Sequence, residues 1–394
     1  MTSKKRLSTR MSHIAPFEAM EIQSRARELE AAGHDVIHME IGEPDFGTPV
    51  PVLEAAKRAL DSAPMGYTSA LGLMPLREAI AEFYRAKYGV TVARERIIVT
   101  AGSSAALLLL FDALLDRGDE VLMTDPGYPC NRHFVRAVDG VPVPIAVDAS
   151  TNFQPTAVDI ANHWRPQTAA VLIGSPANPT GTVIDDDVLK DIHREVSARG
   201  GTLIVDEIYQ GLTYEVAPTT ALATLEHSDN VFIVNSFSKY FHMTGWRLGW
   251  MVVPPAYVRD IETLAQNLFI SPSTPAQHAA LAAFAPDTIA ILEARRAELH
   301  QRRDFLMPAL ASIGFQSPVT PQGAFYVYAD TSAIARDSFV LSKRILETAH
   351  VGMTGGKDFG VNQPGKYMRI AYTQPIARLK EAVERIHKMT RNET

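Results

Sequence analysis

Seven short apolar runs recur between residues 97 and 253, and they constrain this chain more than any other feature. They are IIVT (97–100), VLMT (121–124), VPIAV (143–147), AAVLIG (169–174), TLIVD (202–206), VFIVN (231–235) and LGWMVV (248–253). Near-continuous apolar strands belong in a sheet covered on both faces, and helical patterns stand between most of them. The spacing therefore predicts an α/β fold with a mostly parallel seven-stranded sheet between helices. In such sheets ligands sit beyond the carboxyl ends of the strands, so the residues that close each run carry the functional information.

Flanking segments read differently. Residues 17–32 have apolar positions at helical spacing and stop at Gly33. Val36–Ile41 reads as a short strand leading into the turn GEPDFGTP, and residues 50–61 as a further helix. From Pro75 an amphipathic helix begins, with proline in its first turn. IIVT continues through a small-residue turn into a long apolar helix that Gly118 would stop. Beyond Ser271 the sheet pattern ends. A long charged helix around residues 288–310 leads to two strands, GAFYVYAD and KYMRIAY, and its alternating charges read as a solvated face.

Composition excludes several classes. At 394 residues, 46% hydrophobic and 21% charged, the chain is globular and large enough for two domains. A net charge of −6 with no long basic run argues against a nucleic-acid footprint. The first residues, MTSKKRLSTRM, are basic without a following apolar core of signal length, and no window reaches the apolar length of a membrane span. The expectation is a cytoplasmic protein. A lone cysteine, Cys130, permits no internal disulfide and reads as structural.

The chemistry concentrates in VFIVNSFSKYFHMTGWRLG (231–249). A strand ends in the hydroxyls of Ser236 and Ser238, then comes Lys239, and Arg247 follows between Gly245 and Gly249. That gathers anion donors beside an amine able to act as a nucleophile. Ala101, Gly102, Ser103 and Ser104 form a second anion cradle, because small residues before a helix let backbone N–H groups approach a phosphate. Asp206 closes an otherwise apolar strand, where a carboxylate is costly unless paired. Arg369 lies inside the apolar KYMRIAY run and needs an anion that its planar fork can meet.

SFSKxxxxxGWRLG resembles the cofactor-lysine signature of the fold type I, class I/II aminotransferases that depend on pyridoxal 5'-phosphate, and the resemblance extends over about residues 15 to 390. It implies that Lys239 carries the cofactor as a Schiff base, with Gly102, Ser103, Ser104, Ser236, Ser238 and Arg247 around its phosphate. It implies that Tyr128, in DPGYPCN, stacks on the pyridine ring. Asn178, in SPANPTG, and Tyr209, in DEIYQGL, would reach the phenolic oxygen, and Asp206 would pair with the ring nitrogen. Gly42 and Arg369 would face the substrate carboxylate, joined by Asn178, and the bond before Pro179 is often cis in the family. Tyr67 would reach the phosphate of the other subunit, which makes a homodimer with shared sites the expected assembly. No residue is assigned to a metal.

The reading is therefore a large cofactor domain (48–285), a discontinuous smaller α+β domain (13–47 and 286–394) and an N-terminal arm (1–12). The expected activity is amino-group transfer between an L-amino acid and a 2-oxo acid by ping-pong chemistry, within amino acid metabolism. A β-lyase would share the cofactor residues, and a cofactor-binding regulator without turnover is the alternative of another class. A regulator of transcription would need a DNA-binding domain for which the short N-terminal segment leaves no room, and no GxGxxG supports a dinucleotide fold. Two departures limit the resemblance. GSSAAL places Ser104 and Ala105 near the phosphate turn, where members acting on aspartate often carry a basic residue unless the partner subunit supplies an arginine, and TGGKDFG replaces the usual proline before Phe359 while introducing Lys357. Uncharged amino acids are therefore expected as substrates.

Overall fold

The computed structural model describes residues 6–225 and 228–391. Its strands are β1 (Ile37–His38), β2 (Ile97–Thr100), β3 (Glu120–Asp125), β4 (Val141–Ala146), β5 (Thr168–Gly174), β6 (Thr202–Asp206), β7 (Val231–Ser236), β8 (Gly249–Val252), β9 (Tyr326–Asp330), β10 (Val351–Gly352), β11 (Thr354–Gly355) and β12 (Tyr367–Ala371). All seven apolar runs are strands of one sheet, in the order β2-β8-β7-β6-β5-β3-β4. Only β8 runs against its neighbours β2 and β7.

The strand side chains explain why this sheet is stable. Val99, Leu122, Val171, Leu203, Ile233 and Val252 point into one apolar cluster. Their neighbours Ile98, Val121, Leu172, Ile204, Phe232 and Met251 point into another on the opposite face. Period-two alternation thus divides every strand but the edge strand β4 between two dry layers, and each buried aliphatic side chain contributes about 1.5–3 kcal/mol.

Separate from it stand an antiparallel sheet, β11-β12-β9, and the parallel pair β1-β10. That pair hydrogen-bonds the N-terminal segment to C-terminal elements. The strand expected over Val36–Ile41 shrinks to two residues because its partners change. Met39 N–H donates to Gly352, while the Met39 carbonyl accepts from Ala371 N–H. No continuous ladder forms, and the chain turns toward Gly42.

The expected helices are present at Glu18–Ala31, Val50–Ser62, Met74–Tyr88 and Ser103–Leu114. The third has Pro75 in its first turn and ends at Gly89 in the left-handed region (φ 69°). The fourth stops before Gly118, which instead turns the following loop at φ 93°. The long helix Pro286–Ala311 corrects one expectation, because its charges are not all solvated. Arg302 and Arg303 are 1% and 2% exposed. Arg302 pairs bidentately with Asp45 at 2.7 and 3.1 Å and bonds the Thr373 carbonyl at 2.6 Å. Arg303 pairs with Glu215 at 2.9 Å. A charge pattern within one helix does not reveal acceptors supplied by distant loops.

Before the long elements, Thr9–His13 forms a short 3-10 turn, and Arg10 bonds Ala137 O at 2.6 Å and Asp139 at 3.0 Å. Residues 1–5 of the expected arm lie outside the described residues. No helix among the described residues is long and apolar enough to cross a membrane.

Candidate active site

A cavity of about 690 Å³ opens where Asp125, Gly174 and Asp206 end β3, β5 and β6. Its wall includes Gly42, Ser103, Ser104, Tyr128, Asn178, Asp206, Tyr209, Ser238, Lys239, Arg247 and Arg369. These residues lie up to 327 positions apart in the chain, and the sheet brings them to one end.

Lys239 is placed by aromatic packing. Phe237, fully buried, lies 5.1 Å from the ring of Phe241 and 5.0 Å from that of Trp250, which fixes the backbone just before the lysine. Lys239 Nζ then donates to the Gly42 carbonyl at 2.6 Å. Burial pulls its pKa down to about 8, the nearby Arg369 and Arg247 charges add to the fall, and Glu43 and Asp206 oppose it. The amine is thus partly uncharged near neutral pH, as a nucleophile or proton carrier requires.

Asp206 sits at the opposite electrostatic extreme. Its Oδ1 accepts from Ile208 N–H at 3.2 Å, and burial pushes the carboxyl up to about 6. A buried carboxylate with one backbone donor and only a distant ammonium has capacity for a further cationic N–H.

The anion corner is set by close backbone packing. Gly102 has φ 82°, and a Cβ there would lie 2.7 Å from Arg247 Nη2. A Cβ on Gly249 would lie 2.8 Å from Ser103 N, so the start of β8 is pressed against the helix opening at Ser103. Ser103, Ser104, Ser238 and Arg247 face the cavity over that helix start, a combination suited to a phosphate. Ser236 differs from the expectation. It is 1% exposed and absent from the wall, and its Oγ lies 3.1 Å from the Leu248 carbonyl and 2.9 Å from Ser238 Oγ. Its hydroxyl holds the loop and Ser238. Gly102 likewise contributes clearance, not wall.

The carboxylate corner centres on Arg369, which is 2% exposed. Its Nη1 donates to Asn178 Oδ1 at 3.1 Å and its Nη2 to the Glu40 carbonyl at 2.5 Å, while Nε has no partner. A buried, unpartnered guanidinium N–H on a residue of the cavity wall is a ready anion donor. The bond between Asn178 and Pro179 is cis. Tyr128 closes the strand-end loop, with Phe17 edge-on at 6.2 Å. Tyr67 is 84% exposed and does not line the cavity, so it is not packed inside its own chain.

Several wall residues escaped sequence reasoning. Tyr326 hydrogen-bonds Tyr209, hydroxyl to hydroxyl, at 2.9 Å. Its only sequence signal was period-two placement in the strand beside KYMRIAY, which does not separate it from Tyr328. Glu43 and Thr244 are hydrogen-bonded to each other on the wall. Asp125 accepts the N–H groups of Val361 at 2.8 Å and Asn362 at 3.2 Å, which fastens the 359–362 loop over the cavity. Lys357 also lines it.

Comparison with known proteins agrees with this arrangement. The family model for aminotransferase class I and II matches residues 34–386. The chain is 39% identical over 373 residues to the valine–pyruvate aminotransferase of Mycobacterium tuberculosis, covering 95% of this chain and 96% of that one. It is 34% identical over 392 residues to the aspartate aminotransferase of Geobacillus stearothermophilus, covering 97% and 98%. A crystal structure of an aminotransferase from Mycobacterium tuberculosis superposes with a TM-score of 0.94 at 38% identity, covering 99% of this chain and 100% of that one. The Thermus thermophilus aspartate aminotransferase with maleate gives 0.91 at 35% identity, covering 98% and 100%. With a lysine, an aspartate and an arginine converging on one cavity in this fold, the chain belongs to the class I and II aminotransferases, a family dependent on pyridoxal phosphate, and is a transaminase.

Proposed function

We propose that Lys239 carries pyridoxal 5'-phosphate and that the enzyme moves amino groups between uncharged L-amino acids and 2-oxo acids. The observation that carries this reading is the buried Lys239 amine, held at 2.6 Å on Gly42 with its pKa near 8, in a cavity that also holds Asp206 and Arg369.

When bound, the cofactor supplies an electron-withdrawing ring that makes the substrate Cα–H acidic. Asp206 accepts the ring N–H and, as a carboxylate, keeps that proton in place. Ser103, Ser104, Ser238 and Arg247 hold the phosphate at the helix start, with Gly102 giving clearance and Ser236 bracing Ser238. Tyr128 covers the ring face, and Asn178 and Tyr209 donate toward its phenolic oxygen. Arg369 grips the substrate carboxylate with its fork, beside Gly42 and Asn178. The freed Lys239 amine would be the carrier that takes the Cα proton and delivers it to the cofactor carbon on the far side of the amino nitrogen. Tyr67 completes the phosphate site across a homodimer.

The proposed division is a large domain of residues 48–285 and a smaller one of 13–47 with 286–394; it is supported by the large sheet falling within the first and the smaller sheets with Arg369 within the second. The β1-β10 pairing supports joining the two separated pieces. For the substrate, Ser104 and Ala105 offer no cation to a distal carboxylate, and the valine–pyruvate relative supports an uncharged side chain. Mixing the cofactor-loaded enzyme with single amino acids and following the cofactor absorbance ranks the half-reactions. Alanine, branched-chain or aromatic substrates should match or exceed aspartate, whereas a kcat/KM for aspartate about a hundredfold above all of them would overturn the preference. Pyruvate and ammonia released without an acceptor would show lyase chemistry instead.

A further inference from the structure

Tyr326 occupies a position that the transaminase chemistry above does not use. It is 1% exposed, on β9, and its hydroxyl lies 2.9 Å from that of Tyr209. Neither hydroxyl has another hydrogen-bond partner among the described residues. The Tyr326 ring also lies 4.4 Å from the Arg369 guanidinium carbon. That contact follows from strand register. Arg369 is paired with Tyr328, and Tyr326 is the diagonal neighbour on the same face. The hydroxyl further abuts Gly42, where a Cβ would come within 1.9 Å of it, and the Gly42 carbonyl already accepts from Lys239.

Each phenol has one hydrogen to place. If Tyr209 donated to Tyr326, the Tyr326 hydrogen would find no acceptor among the described residues, since Tyr209 is the sole hydrogen-bond partner of that hydroxyl. If Tyr326 donates to Tyr209, its hydrogen is used, and the Tyr209 hydrogen is free to point into the cavity. The second arrangement places the spare hydrogen in the cavity, where solvent or a bound group can accept it, and a phenol that accepts one bond is a stronger donor in the next.

We propose that Tyr326 is a positioning residue with two actions: its hydroxyl orients Tyr209 toward the cofactor's phenolic oxygen, and its ring props the Arg369 fork for the substrate carboxylate. The proposal rests on the reading of Tyr209 given above. It couples the cofactor side of the cavity to the carboxylate side through one side chain.

The test uses the full chain reconstituted with pyridoxal phosphate and the pH midpoint of the cofactor–lysine absorbance. A hydrogen bond to the phenolic oxygen withdraws negative charge from beside the lysine nitrogen, so weakening it holds that nitrogen's proton to higher pH. Tyr209→Phe should raise the midpoint, and Tyr326→Phe should raise it in the same direction by about half a unit to one unit, the size of one modest hydrogen bond. A packing residue alone would lower the thermal midpoint and leave the titration in place. A shift in Tyr209→Phe without one in Tyr326→Phe overturns the proposal while sparing the reading of Tyr209, and no shift in either overturns both. The ring is tested with propionate, a carboxylate that cannot react. Tyr326→Leu should weaken its binding about tenfold more than Tyr326→Phe, since only leucine removes the face under the guanidinium. Equal affinities in the two variants would overturn the second action.

Discussion

Lys239 and Gly42, 197 residues apart, are joined by a 2.6 Å bond from the lysine amine to the glycine carbonyl. This bond parks the amine in the cavity and ties the loop after β1 to the loop after β7. It also explains the glycine, since any side chain there would collide with the Tyr326 hydroxyl.

Replacing Lys239 by alanine should remove the covalent link and the proton carrier together. Pyridoxal phosphate should still bind through the phosphate corner, and transamination should fall by several orders of magnitude. Borohydride reduction followed by peptide mapping checks the assignment, and cofactor trapped on another lysine would refute it.

Asp206→Asn should act in opposite directions on catalysis and on the stability of the cofactor-free protein. Burial raises the folded carboxyl from 3.8 to about 6, so the folded state holds a proton that the unfolded state releases earlier. The stability contributed by this group is complete below about pH 4 and is lost as pH rises through 6. Asparagine mimics the neutral form, so at pH 8 the cofactor-free variant should gain on the order of 3 kcal/mol over the parent, with no gain at pH 4. Its rate of Cα proton removal should nevertheless drop far more than its cofactor affinity. Urea unfolding at the two pH values and stopped-flow half-reactions measure both, and near-parental turnover would reduce Asp206 to a turn-capping role.

The contrast between Asp206 and Arg302 shows what could be read without coordinates. A carboxylate closing an apolar run announces its own cost, and so does an arginine inside KYMRIAY. The strands were legible for a related reason: all but the edge strand β4 are dry on both faces, so apolar character is continuous. Arg302 gives no such warning, because it lies in a helix rich in charge and its partner Asp45 is 257 positions away. For Ser236 the sequence shows a hydroxyl near a lysine but not that this hydroxyl bonds inward to Leu248. Tyr326 and Tyr328 are alike in pattern, and only the register against β12 distinguishes them.

Arg302→Met should therefore destabilise the fold without entering the cavity. It leaves the Asp45 carboxylate without its Arg302 donors and the Thr373 carbonyl with only the Asp45 N–H at 3.3 Å, in a largely dry contact. Asp45 retains some access to water at 24% side-chain exposure, so the loss should be about 3 kcal/mol, the lower end for breaking a buried pair. Equilibrium denaturation should resolve it, and an unchanged midpoint would mean that the pair is already offset by its desolvation.

Arg369→Lys should damage substrate binding more than turnover. An ammonium cannot bond Asn178, the Glu40 carbonyl and a carboxylate from one planar group. KM for the amino acid should rise roughly 10- to 100-fold, corresponding to loss of one strong charge-assisted bond. Steady-state kinetics with alanine and its oxo acid would show this, and an unaltered KM would place the carboxylate elsewhere.

Tyr67 links assembly to activity. Its side chain is 84% exposed and stands off the wall of its own cavity, and the loop around it leads into the helix that packs beside the large sheet. Met65 and Met74 nearby are also exposed, at 39% and 41%, so the segment presents an apolar face as well as a phenol. If a second copy covers this face and receives the phenol at its phosphate corner, the smallest active species is a homodimer. Tyr67→Phe should then weaken pyridoxal phosphate binding by about one to three kcal/mol, the range for a hydrogen bond to a charged group, while leaving the dimer intact. Mixed dimers sharpen the test, because a subunit lacking Lys239 can still lend its Tyr67 to a partner that carries Tyr67→Phe. Such hybrids should recover tight cofactor binding at the intact lysine. Sedimentation of a fully active monomer, or hybrids that bind no better than the Tyr67→Phe parent, would rule out the shared site.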